Sequence, residues 1–297
     1  MFLRSTPSLK IDSVSSYKEG IFYFIMGVRG LLTYCKDIIT HANMNVKDLR
    51  IGIDVYSLFF LFREKRVEFH AYLEGLSKSH TLECIIDTRA QKEKEVVVKE
   101  RKEARKEASD QVKEIHTFQT SDIYEGLDET QRKLIDDYMS IKKRDAWCVH
   151  KEYMRWFRSM IEVLEIPLIQ AYEEADTILA QGNYDVVISS DSDLLIYGVK
   201  RLWMPRGSNW GLQHNEIDGQ RFSEYMRLTK EQLYQLSFLA GCDIQPRKFF
   251  PIDIAVNLLR FYGGIQGIHA KMPTKLSKDD VALYTTLRSS AWNMEIQ

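Results

Sequence analysis

Three short apolar runs along the chain each close on an aspartate. LRIGID ends at Asp54, LECIID at Asp87 and YDVVISSD at Asp191, with Asp193 just beyond. VYSLFFLFREKR follows the first run with a helical pattern and a long charged segment follows the second, so the order is strand, helix, strand, helix. That alternation predicts a parallel sheet, whose strands open their carboxyl ends onto one crevice where ligands bind. Three strands would thus deliver acids to the same edge.

The remaining pattern is mostly helical. MGVRGLLTYCKDII puts Leu31, Leu32, Cys35, Ile38 and Ile39 at helical spacing, a short amphipathic helix. Residues 91–115 contain no Gly or Pro and consist mostly of good helix formers. At about 100° per residue, Val97, Arg101, Ala104, Ala108, Val112 and Ile115 share a narrow face, with Lys94 at its margin. Two readings of this segment stay open: a solvated helix stitched by i,i+4 charge pairs, or a cover that points Lys94 and Arg101 at a phosphate.

The stretch 118–166 is harder to divide until its amphipathic end, HKEYMRWFRSMIEVLEI. PLIQAY then reads as a strand and EEADTILAQGN as a short helix stopped by Gly182. LTKEQLYQLSFLAGCD is a helix with Thr229 as N-cap and Gln232 three residues on, ending at Gly241 before Asp243. IDIAVNLLRFYGG is a final helix. Residues 1–25, rich in Ser and Lys and without a sustained period, read as an extension outside the fold, disordered or untranslated, with ordered sequence starting near Met26.

A chain of 297 residues can bury a core without disulfides or a structural metal. There is no apolar run of about 18 residues to span a membrane, and the apolar stretch from Ile21 to Met26 is too short and too internal for a secretory signal. Cys35, Cys84, Cys148 and Cys242 form no CxxC pair, so the expected setting is intracellular and reducing, in the nucleus or cytoplasm. With 41 Lys and Arg against 42 Asp and Glu the net charge is -1, so any nucleic-acid partner must be met by locally concentrated basic residues.

Taken singly, an acid at a strand end fits a turn or an N-cap. Here Asp54, Asp87, Asp191 and Asp193 would converge with Glu174 and Asp176 at the start of the EAD helix, and with Asp243 after a helix-ending glycine. Seven carboxylates in one crevice repel and raise one another's pKa unless cations neutralise them. Hard divalent ions such as Mg²⁺ or Mn²⁺ suit carboxylate and water oxygens. Two of them about 3.5–4 Å apart can activate a water and stabilise the leaving oxygen of a phosphodiester. No HExxH pattern, His cluster or GxxxxGK[ST] loop points to another chemistry.

MGVRGLL at Met26, IGIDVYSLF around Asp54, IID at Asp87, EEAD at 173–176, ISSDSDLL at 188–195 and FLAGCD ending at Asp243 resemble, in order, the successive blocks of the flap endonuclease and XPG family of structure-specific nucleases. The resemblance covers most of 26–268. It implies a PIN-like three-layer α/β/α fold with a central, mostly parallel sheet, a helical arch-like insertion at about 89–150 and a nuclease domain over 26–245. It further implies two Mg²⁺ ions, which Mn²⁺ can replace, and hydrolysis of DNA at junctions of duplex and single strand in repair, replication or recombination. Asp54, Asp87, Glu174 and Asp176 resemble the family's first-metal group, and Asp191, Asp193 and Asp243 the second; Glu173 matches no ligand position. Lys94 and Arg101 fall where the family keeps a Lys and an Arg on the scissile phosphate. Phe60 sits where many members carry a base-stacking Tyr, and a core Phe beside Phe59 and Phe62 is its other reading.

The sequence also departs from the family. The FDG block is IDT here, through Thr88. Residues 246–297 are expected to hold a degenerate helix-two-turn-helix, in which QPRKFFPID lacks the glycines of a monovalent-cation site, although Arg247 and Lys248 can still meet duplex phosphates. No sliding-clamp peptide is recognisable, and the expectation is a monomer, shortened in the manner of a viral member. Two further alternatives stay open at this level: a 5′–3′ exoribonuclease or other PIN-like RNase, and a catalytically silent scaffold that binds nucleic acid.

Overall fold

The computed structural model describes residues 27–63, 65–87, 94–172, 174–206 and 213–290. The extension 1–25, Met26, Thr88 and Glu173 lie outside the described residues.

The chain opens with the short helix α1 (Leu31–Tyr34), a 3-10 turn (Lys36–Ile38) and β1 (Thr40–His41). The first two strand–helix units follow: β2 (Arg50–Asp54), α2 (Val55–Phe62), α3 (Arg66–Ser77) and β3 (Thr81–Asp87). An insertion comes next, with α4 (Glu95–Gln119), the single turn α5 (Asp122–Glu125) and α6 (Glu129–Ala146), before α7 (Lys151–Val163) returns to the sheet. The second half runs β4 (Leu168–Ala171), α8 (Ala175–Gln181), β5 (Val186–Ile188), α9 (Asp193–Tyr197), β6 (Arg201–Pro205) and β7 (His214–Asp218). Five helices close it: α10 (Gly219–Met226), α11 (Lys230–Ala240), α12 (Ile252–Tyr262), α13 (Ile265–Lys271) and α14 (Lys278–Ser290).

The strands form one sheet in the order β1-β7-β6-β5-β2-β3-β4. β4, β3, β2, β5 and β6 are parallel neighbours, and β7 and β1 add an antiparallel edge. Four of the five residues of β2 are buried, the near-continuous apolar run of a central strand covered on both faces. Alternate side chains supply two cores. Ile51, Ile53, Leu82, Cys84, Ile86, Val186 and Ile188 pack with α2, α3 and α7, whereas Ile85, Val187 and Leu202 pack with α8, α9, α11 and α12. The expected three-layer α/β/α architecture is therefore present. Residues of α12, α13 and α14, among them Val256, Ile268 and Leu287, belong to the second core.

The first core contains a cluster of aromatic rings. Phe59 is fully buried and meets Phe157 edge-on at 4.8 Å between ring centres and Tyr153 at 5.3 Å.

Several elements differ from the pattern read off the sequence. The sheet has three strands more than the four expected, because β1, β6 and β7 are short and mix polar with apolar residues. β5 ends at Ile188, so Asp191 stands in a turn beyond the strand instead of at its last position. The long helix begins at Glu95 with Lys94 at its N-cap, and runs four residues past Ile115. On it Val97 and Ala108 are buried as expected, but Ala104 is exposed and Arg105 takes the inward place. The unassigned stretch after it contains α6, started by a capping box between Asp128 and Gln131. Thr229 and Gln232 form the expected box at α11.

One buried histidine carries a pH prediction. His214 Nε2 lies 2.6 Å from the Tyr72 hydroxyl, its ring stacks on Trp203, and burial followed by the neighbouring His80 lowers its pKa to about 4. A histidine depressed below its unfolded value of about 6.5 favours folding above that pH, and the contribution is lost as pH falls toward 4. The full loss amounts to about 3 kcal/mol. Denaturant titrations at pH 7.5 and 4.5 should show that loss in the wild type and not in His214→Gln; parallel pH profiles for the two would refute it.

Candidate active site

The carboxyl ends of β2, β3 and β4 and the turn after β5 meet at one edge of the sheet, and each delivers acids there. Asp54 closes β2 and caps α2: its Oδ1 accepts from the Ser57 N–H at 3.2 Å and its Oδ2 from the Ser189 hydroxyl at 2.7 Å. The N-cap and the site are thus the same residue. Asp87 closes β3 and accepts from the Ala175 N–H, which docks the start of α8 against it. Glu174 stands at the N-cap of α8 and Asp176 in its first turn.

After β5 the chain folds into a turn pinned by serines. Ser189 Oγ accepts from the Asp191 N–H at 2.9 Å, and Ser57 Oγ accepts from the Ser190 N–H at 2.6 Å. Asp191 Oδ1 then accepts from the Asp193 N–H at 2.8 Å, at the start of α9. Asp243 arrives from another direction, two residues past Gly241, whose φ of +88° ends α11 and turns the chain.

Burial and mutual repulsion shift the pKa values of these groups upward. Burial raises the Asp54 carboxyl to about 6 against the Ser189 hydrogen bond, with Asp87 adding to the rise. Burial, then Asp191, raises Asp176, and burial, then Asp193, raises Asp191. Asp193 reaches about 8 through burial and the charge of Asp243. Asp87 is also raised, chiefly by burial.

Two cations from α4 reach into this cluster. Lys94 Nζ donates to Glu174 Oε2 at 2.8 Å, and Arg101 Nη2 donates to Asp243 Oδ2 at 2.6 Å. Although burial favours the neutral amine, Asp176, Glu174 and Asp191 outweigh it and hold Lys94 above the ordinary lysine range. The long helix is therefore no merely solvated element; its first two turns lie over the acids.

The seven acids and both cations of the sequence reading come together, while the nucleic-acid candidates have other partners. Phe60 is half-buried, edge-on to Trp147 at 5.5 Å, with the Arg105 guanidinium 5.4 Å above its ring. It is neither a core residue like Phe59 nor an uncovered stacking face. Arg247 is bound to Asp280 at 3.1 Å and lies over Phe249, and Lys248 is exposed beside it.

Sequence reasoning missed Ser57, Ser189 and Gly27. The SSDSD repeat was the available signal for the turn. Gly27, at φ +104°, lies so close to the turn that a Cβ would come within 2.3 Å of Ser192 Oγ and 2.7 Å of Asp191 Oδ1. Gly27→Ala should cost about 1–3 kcal/mol of stability and slow any chemistry that depends on Asp191. A native-like melting curve with unchanged turnover would contradict this.

The donor set suits hard divalent cations. It consists of buried and half-buried, mutually repelling carboxylates, and the buried Asp193 Oδ1 accepts no hydrogen bond. Among the described residues, however, no three of these side chains stand together as one coordination group. All four cysteines are free, and no described helix is long and apolar enough to cross a membrane.

Residues 165–243 match the family model of the XPG I-region, a span holding five of the seven acids. No curated protein matches the chain. Among solved structures, the catalytic core of Rad2 superposes with a TM-score of 0.54 at 14% identity, covering 92% of this chain and 78% of that one. Flap endonuclease-1 from Methanococcus jannaschii gives 0.54 at 16%, covering 87% and 83%. Human GEN1 in complex with Holliday junction DNA gives 0.53 at 16%, covering 89% and 62%. Residues 165–243 thus carry an XPG I-region, and the chain shares the fold of the Rad2 core and of flap endonuclease-1.

Proposed function

We propose that the protein is a divalent-cation-dependent nuclease that hydrolyses phosphodiester bonds of DNA at junctions of duplex and single strand. The observation that carries this reading is the meeting of seven acids from separate segments at the carboxyl edge of a parallel sheet, with Lys94 and Arg101 of α4 laid over them. The Rad2 core has been solved with a DNA substrate, which supports DNA as the ligand class.

Asp54, Asp87, Glu174 and Asp176 would hold one ion, and Asp191, Asp193 and Asp243 a second. Bound there, Mg²⁺ would supply Lewis-acid activation of water and charge stabilisation at the phosphate. The chain's own part is positional and electrostatic. Ser57 and Ser189 fix Asp54 and the 189–193 turn to each other. Lys94 and Arg101, seven residues apart on one helix, would meet the two sides of a phosphate drawn into the cleft. Residues 246–297 would grip the duplex flank, with Lys248 as an exposed point charge.

Purified protein should be incubated with matched 5′-flap, nicked, Holliday-junction and single-stranded DNA and with single-stranded RNA, in Mg²⁺ and in EDTA. The expected result is Mg²⁺-dependent cleavage at the DNA junctions. Cleavage of RNA alone would make the protein a ribonuclease, and binding without cleavage of any substrate would make it a scaffold.

A further inference from the structure

Helix α4 gives one cation to each of the two proposed carboxylate groups. Lys94 holds Glu174 and Arg101 holds Asp243, at 2.8 and 2.6 Å. The seven-residue step from one to the other is two helical turns, about 10 Å, so a single rigid helix spans the cleft with both side chains on one face. These are not surface pairs. Glu174 and Asp243 side chains are 8% and 13% exposed, and a pair this enclosed holds tightly because either partner left alone is a desolvated charge.

Three of the remaining acids are held by the chain itself. Asp54 is engaged by Ser57 and Ser189, Asp87 by Ala175, and Asp191 by the Asp193 amide. The positive charge delivered to Glu174 and Asp243 therefore comes from α4, and it engages the same oxygen atoms that a divalent cation would need. A lysine or arginine bound to a carboxylate oxygen and an ion bound to it compete, because each satisfies the same lone pairs and offsets the same repulsion.

We propose that α4 is an ion-released latch: Lys94 and Arg101 neutralise Glu174 and Asp243 until divalent cations take over, and only then are both side chains free to turn toward a phosphate anion. This rests on the reading of the seven acids as ion ligands. It makes closure of the arch and loading of the ions linked equilibria, in which each weakens the other in the absence of nucleic acid.

The test uses the full chain without nucleic acid and Mn²⁺ as the probe, with affinity measured by calorimetry or by the electron-spin signal of free Mn²⁺. Lys94→Met and Arg101→Met should each bind Mn²⁺ about tenfold more tightly than the wild type, a shift of the size typical of coupled sites. Lys94→Arg, which keeps the charge, should bind like the wild type. Hydrogen exchange in the wild type should speed up across the first turns of α4 when Mn²⁺ is added. If the wild type binds Mn²⁺ and neither Met variant binds it more tightly, the latch is wrong while the ion-ligand reading stands. If none of the proteins binds Mn²⁺, the ligand reading fails and the latch with it.

Discussion

Asp191→Asn should reduce cleavage on the order of a thousandfold while raising the melting temperature of the protein in EDTA. The two effects have one origin. Asp191 is repelled by Asp193 and Asp243 and in turn repels Asp176, and its carboxyl is raised well above the ordinary range by burial and then by Asp193. The amide removes one charge from that repulsion and keeps an oxygen that can still accept from the Asp193 N–H. Each kcal/mol so relieved shifts the transition of a chain this long by about 2–4 °C upward. The same substitution removes an anionic oxygen from the proposed ligand set, and the stabilisation then lost from a phosphoryl transition state is of the size seen for preorganised electrostatic groups. A stable, inactive Asp191→Asn places the residue in the chemistry; a destabilised one would make the turn a purely structural feature. Combining it with Asp54→Asn should add little further loss of rate, because groups that act as a unit are not additive.

The second large effect belongs to α4. The double variant Lys94→Met, Arg101→Met should lower the single-turnover rate about a hundredfold or more if, as proposed, both cations turn to the charge that develops on one phosphate. Its affinity for junction DNA should change by less than about threefold, because general attraction is spread over many basic residues. Rapid-quench cleavage and fluorescence anisotropy on the same substrate separate the two. If affinity and its salt slope fall while the rate at saturation is kept, α4 is a general electrostatic tether.

How much of this could be read from sequence follows from where each side chain's environment is encoded. Asp54 and Asp87 were legible because a parallel strand buried on both faces is a continuous apolar run, and the run stops at the acid. Asp191 and Asp193 were legible as a pattern, although the strand ends three residues before Asp191 and the turn depends on Ser57 and Ser189. Those hydroxyls are 133 and 135 residues from one of their partners in the chain, a distance at which no local spacing rule operates.

α6 was not legible. Its Leu134, Tyr138 and Ile141 recur at helical spacing, but they are exposed, so the apolar period does not mark the face that packs. β6 and β7 were missed because each is only five residues long, and β7 carries polar residues such as His214, Asn215 and Glu216 in place of an apolar run. Lys94 was placed on the helix face from its spacing, whereas it stands at the N-cap; it still reaches Glu174, because the long lysine stem tolerates that difference.

The central claim is that divalent ions sit among these seven acids, and iron-directed cleavage of the protein's own backbone tests it most directly. Fe²⁺ loaded in place of Mg²⁺, with ascorbate and peroxide, generates radicals that cut the chain within reach of the ion. The account predicts cuts near residues 54, 87, 174–176, 191–193 and 243, all suppressed by excess Mg²⁺ and by Asp191→Asn. Cuts elsewhere, or cuts at these positions that neither Mg²⁺ nor the substitution diminishes, would contradict it.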